Sequence, residues 1–168
     1  MSTEPMYVLM LKEDYENDLI DTGPSEYELY DSADFGARFG KEGGVSNRKI
    51  NKEKSDRIAA AKEFVKLIGE DICYVDDDTV KFRKNAKEIF AQRKLKKLKK
   101  AVNSMTSDEF LKSGEWKIRN ILRDAYWHVY PHGENCQGNY PQAPEEFIVD
   151  YMDNGESYIV SEIIDIFC

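Results

Sequence analysis

The two segments of this sequence that read most clearly as strands lie at its opposite ends. Residues 6–11 (MYVLML) form a short apolar run suited to a buried strand, and the acidic stretch 13–21 ends it. Near the other end, residues 147–152 and 158–167 flank Asp153-Asn154-Gly155-Glu156. Asn-Gly between apolar alternations is a hairpin signal, because both residues accept the positive φ of a tight turn. A sheet joining these ends must be covered by what lies between them. The expected architecture is α+β: three main helices with a small antiparallel sheet built from the N-terminal strand and the C-terminal hairpin, plus a short hairpin near residues 72–82. All of it forms a single domain over residues 1–168.

Between the ends, Gly23-Pro24 marks a turn and residues 25–30 (SEYELY) alternate as a half-buried strand does. Residues 36–51 hold four glycines and little periodicity, so they read as a flexible loop. Residues 52–68 place Ile58, Ala61, Val65 and Ile68 at helical spacing, with Gly69 as a C-terminal stop. The hairpin at 72–82 carries Asp76, Asp77 and Asp78 on its turn. A second helix, residues 84–103, repeats Ala91, Leu95, Leu98, Val102 and Met105 as one apolar stripe. Thr106 and Glu109 match a capping box that opens a third helix, which Gly114 interrupts and Pro131 stops. Its buried face is expected to include Ile118, Ile121, Leu122, Ala125 and Val129. Residues 131–144, with three prolines and two glycines, read as an irregular loop.

The chain of 168 residues is 41% hydrophobic and 12% aromatic, enough for a core and too much for general disorder. No run reaches the roughly 18 apolar residues of a membrane span. The N-terminal stretch lacks a basic n-region and a cleavage site, and three scattered cysteines do not make a disulfide scaffold. A cytoplasmic protein with no membrane partner is expected.

Charge is the most informative functional signal. Lys and Arg number 24 against 32 Asp and Glu, but the signs are segregated. Residues 1–34 have a net charge of −9, residues 81–103 one of +9, and residues 130–168 hold eight acids and no Lys or Arg. In the basic helix, Arg93, Lys96, Lys97 and Lys100 share one side, opposite the Leu95, Leu98 and Val102 stripe. Cations at that spacing can follow a phosphate backbone, although the solvated face of any amphipathic helix can look similar. At the C-terminal end, Glu145, Glu146, Asp150, Asp153, Glu156, Glu162 and Asp165 could imitate a phosphate track and enter the basic groove of another protein. Surfaces that serve solubility alone usually mix signs.

Catalytic motifs are scarce. His128, His132 and Cys136 could contribute to a metal or enzymatic site, but Pro131 denies the two histidines helical i, i+4 geometry and no fourth ligand stands at familiar spacing. Residues 36–41 only superficially resemble a phosphate loop: the glycine interval is one residue short, and Glu42 stands where a Mg²⁺-binding hydroxyl is needed. The Asp76–Asp78 triplet lacks a calcium-loop pattern. No cofactor is expected, and the chain reads as non-enzymatic.

In size, acidity and lack of a catalytic signature, the sequence is similar to the anti-CRISPR and antirestriction inhibitors of phages and mobile elements, some of which act as nucleic-acid mimics. That resemblance implies an inhibitor that binds a basic nucleic-acid-binding protein or a protein–RNA complex and blocks its nucleic-acid surface. The alternative is a nucleic-acid-binding protein that holds RNA or DNA directly on the basic helix at 84–103. A third reading is a metal or enzymatic site at His128, His132 and Cys136.

Overall fold

A computed structural model describes residues 3–17, 45–122, 127–132, 142–152 and 154–167. The elements run β1 (Thr3–Leu11), α1 (Lys12–Asn17), β2 (Val45–Ile50), α2 (Lys54–Ile68), β3 (Cys73–Asp76) and β4 (Thr79–Phe82). They continue with α3 (Ala86–Ser104), α4 (Ser107–Glu109), a π-helical turn at Phe110–Gly114, α5 (Glu115–Leu122), β5 (His128–His132), α6 (Pro144–Glu146), a second π-helical turn at Phe147–Tyr151, and β6 (Ser157–Phe167). The α+β class holds, as does the pairing of the N-terminal strand with the C-terminal one.

One six-stranded sheet has the order β3-β4-β6-β1-β5, with β2 also paired to β6. β6 is antiparallel to β1 along one side; its other side is shared by β4, at Tyr158 and Ser157, and by β2, from Glu162 to Ile166. Buried Asn51 joins those two stretches, donating its backbone N–H to the Ser161 carbonyl (2.9 Å) and its side-chain amide to the Val160 carbonyl (3.0 Å). The β1–β6 register shifts between Val8 and Leu9, opposite Ser161, so the strand carries a bulge there.

Tyr7 and Leu9 of β1, Val129 of β5, Phe82 of β4, and Tyr158 and Val160 of β6 share one core with Ala60, Ala61, Phe64, Val65 and Ile68 of α2. Phe64 is its aromatic centre, meeting Tyr7, Phe82 and Trp127 edge to face at 5.6–6.4 Å. Met6, Val8, Met10, Tyr130, Ile159 and Ile164 alternate with these residues along their strands and are buried too. The sheet is therefore covered on both faces, which is why β1 reads as a continuous apolar run.

Several expectations are corrected. The sheet is mixed, because β5 runs parallel to β1, pairing Met6 with His128 through Met10 with His132. Residues 45–50, read as part of a loop, form β2: its Arg48 reaches Glu162, which gives a polar segment a reason to pair. Residues 128–132, read as a helix end and loop, form β5. Val129 turns both its backbone groups outward to Gln142 (2.9 and 2.8 Å), and Pro131, two residues on, turns the same way. The missing proline N–H therefore costs no bond to β1. Gly114 does not interrupt the third helix; the chain continues through a π turn, and a Cβ at Gly114 would lie 2.6 Å from the Phe110 ring. Residues 147–151, read as a hairpin strand, make the second π turn, which buries Phe147 and Ile148. The strand read at 25–30 and the glycine segment 36–44 lie outside the described residues.

The strongest polar constraint in the sheet is the ion pair of Arg48 with Glu162, whose side chain is 2% exposed. Removing one partner strands the other. Arg48→Met should cost about 2–4 kcal/mol, less than a fully buried pair because Arg48 is partly exposed. Adding Glu162→Gln should restore part of that loss, as read from urea denaturation midpoints.

Candidate interaction surfaces

α3 and α5 form a helical hairpin that contributes little to the core. Of α3 only Ala86 is fully buried, and no residue of α4 or α5 is. The hairpin's turn is secured by a capping box: Thr106 Oγ1 accepts from the Glu109 N–H (3.2 Å), and Glu109 Oε2 accepts from the Thr106 N–H (3.4 Å).

The base of α3 is clamped from two sides. Arg93 donates to the Ile68 carbonyl at the end of α2 (2.8 Å) and to both oxygens of Asp71 (2.6 and 2.7 Å). A cation at the C-terminal end of α2 also suits that helix's dipole. Lys94, half-buried, lies 3.4 Å from Glu145 Oε1, donates to the Leu122 carbonyl (3.3 Å) and sits over the Phe90 ring. Gly69 makes the Arg93 contact possible. It has φ +119, and a Cβ there would fall 2.6 Å from Asp71 Oδ1 and 3.0 Å from Arg93 Nη2.

α3 outruns the body on which it packs. The side that faces inward at Ala86, Ile89, Phe90 and Arg93 continues beyond the body as Lys96, Lys97 and Lys100, which are exposed. Arg93 is thus committed to the clamp. The apolar stripe expected on the opposite side does not enter the sheet core: Leu95 is 51% exposed and Val102 49%, while Leu98 and Met105 are half-buried. Beside them stand Phe110 (56%), Leu111 (82%) and Trp116, all exposed apolar side chains absent from the sequence reading. Their helical positions fall outside the regular stripe, which hid them.

The acidic set is not one surface. Glu162 lies beneath Arg48 and Glu145 against Lys94, while Asp165 is half-buried in β6. Glu146, Asp150 and Glu156 are exposed. The first two belong to the segment that meets the base of α3, where Lys87 donates to the Val149 carbonyl (3.0 Å) and Asn154 to the Lys84 carbonyl (2.7 Å). Asp153 lies outside the described residues. The three turn aspartates are each paired: Asp76 with Lys81, Asp77 with Lys54 (both 2.8 Å) and Asp78 with Arg57 (2.9 Å). Asp77 takes the left-handed conformation of the turn (φ 54).

His128 and His132 sit four residues apart on one strand and one face, roughly 13 Å from each other at the usual rise, too far to share an ion. His128 Nε2 lies 2.9 Å from Glu4 Oε2, and the His132 ring packs beside Tyr130 at 6.2 Å. Cys136 lies outside the described residues, and among those described no group of three His, Cys, Asp or Glu could hold a metal. Buried Cys73 has its thiol pushed up to about 12 by desolvation, so it is no thiolate nucleophile. Among the described residues no helix is long and apolar enough to cross a membrane. No protein-family model matches the chain, and neither a curated protein nor a solved structure is similar to it.

The clamp carries two expectations. Gly69→Ala forces a backbone that L-residues avoid and should cost about 1–3 kcal/mol by urea denaturation. The Arg93 hydrogen bonds hold the Asp71 carboxyl below the usual carboxylate range. A lowered folded-state value stabilises above the ordinary carboxylate range and is lost as pH falls through the lowered one. Asp71→Asn should therefore cost about 0.5–1 kcal/mol at neutral pH, the modest worth of an exposed pair. The gap from wild type should close in acid.

Proposed function

We propose that this chain is a non-enzymatic binding protein that docks on a nucleic-acid-processing protein or its nucleoprotein complex and blocks the nucleic-acid-binding surface. Counter-defence inhibitors of the anti-CRISPR type act in this way, and the setting of such an activity is the cytoplasm. The observation that carries the reading is that one helical hairpin bears an exposed basic ridge along its shaft and packs its root against a segment with exposed acids. Lys96, Lys97 and Lys100 line the shaft, while Glu146 and Asp150 stand on the segment packed against its root. A basic ridge on a helix suits phosphates, and a separate acidic patch suits the cationic protein surface that held them. Among the described residues of the C-terminal acidic set, Glu146, Asp150 and Glu156 are the ones exposed to meet such a surface; Glu145 and Glu162 serve the fold.

The two surfaces are testable one at a time. Single-stranded RNA or duplex DNA should bind with a log–log salt slope of about −3, from roughly 0.9 per phosphate contact at three lysines. Reversing Lys96, Lys97 and Lys100 to Glu should abolish that binding, with circular dichroism showing that the variant remains folded. Reversing Glu146, Asp150 and Glu156 to Lys should spare naked nucleic acid yet abolish capture of the nucleoprotein partner from lysate. Absence of nucleic-acid binding at low salt removes the lysine ridge from the reading. Unchanged capture with the acids reversed removes the acidic surface.

A further inference from the structure

The hairpin carries an apolar groove on a different side from the lysine ridge. It is a cleft of about 410 Å³ lined by Val102 of α3, Met105 just past its end, Phe110 and Leu111 of the π turn, and Ile118 of α5. Leu95 extends the exposed stripe seven residues back along α3, roughly 10 Å at the helical rise. Apolar surface of this kind, beside a core that is complete without it, marks a contact site.

Charge decides what fits. α3 carries seven Lys and Arg against Glu88 alone, and Lys87, Arg93 and Lys94 are among those with partners within the chain. Lys99 borders the stripe, one turn on from Leu95, and is exposed with no ion pair among the described residues. α4 to α5 balance three acids with three bases. A second copy of this hairpin would set one cationic α3 near another, which like-charge repulsion opposes. Nucleic acid satisfies the lysines but leaves the aliphatic lining of the cleft with nothing apolar to cover it. An amphipathic helix with acidic flanks satisfies both. Its apolar residues at i, i+3 and i+7 follow the spacing of Leu95, Leu98 and Val102, and its carboxylates meet Lys99.

We infer that the groove is a docking site for an acidic amphipathic helix of a partner protein. This interaction is separate from the charged surfaces above and stands whether or not they bind nucleic acid.

The test is selection from a randomised phage-displayed library of helical peptides of roughly 18 residues, about five turns, against the full chain. Selected sequences should share Leu or aromatic residues at i, i+3 and i+7 flanked by Asp or Glu. By fluorescence anisotropy a synthetic copy should bind the full chain, and Val102→Glu with Leu111→Glu should weaken it by at least about tenfold. Both positions are exposed, and circular dichroism checks that the variant remains folded. Lys99→Glu should weaken the peptide as well. Failure to select binders, peptides without the apolar spacing, or affinity unmoved by the Val102 and Leu111 changes would overturn the proposal. So would displacement of the peptide by single-stranded RNA, or sedimentation as a dimer that those changes dissociate; either gives the groove a different occupant.

Discussion

β6 holds the molecule together. It pairs with β1 along one side and with β4 and β2 in succession along the other, so three strands from distant parts of the chain share one neighbour. Because β6 lies near the C-terminal end of the sequence, the sheet gains its central pairing only after long loops close, and those losses of entropy are recovered together. The polar residues in and beside its centre follow from that position. Glu162 sits where two strands meet and needs Arg48; Asn51 spans the gap where β2 hands over to β4; Ser161 occupies the bulge and donates to the Val8 carbonyl (3.4 Å).

Once β6 fixes the sheet, α2 fixes what happens outside it. Phe64 anchors α2 to the sheet, and the end of α2 presents Ile68 and Gly69 to the base of α3. Arg93 then sets the rotation of α3 about its own axis. With that rotation set, the helix leaves the body with its lysines on one side and an uncovered apolar stripe on another. Both functional proposals depend on this geometry, because a rotated α3 would bury the stripe and present a different set of cations.

Features whose cause is local were legible in the sequence. Residues 6–11 announce a strand buried on both faces, Gly69 ends α2 in the conformation only glycine takes readily, and Thr106 and Glu109 form their capping box. Features whose cause is a distant partner were not. Nothing in VSNRKI suggests a strand until Arg48 is seen against Glu162, and Pro131 argues against a strand until its N–H direction is known. The same holds for charge: Glu145 and Glu162 look like Glu146 and Glu156 in sequence, yet the first two are internal partners and the others are exposed. Helical periodicity set the stripe and the ridge on opposite sides of α3. It carried no information on where the supporting body stops, so it could not tell that the stripe would be left outside.

The most direct measurement is therefore the stability of Leu95→Glu and Val102→Glu by urea denaturation. With α3 rotated as described, both side chains remain in solvent, and each midpoint should give a stability within about 0.5 kcal/mol of wild type. A loss of about 2–5 kcal/mol for either, the cost of disrupting a packed core position, would mean that the stripe is buried and the account of the hairpin is wrong.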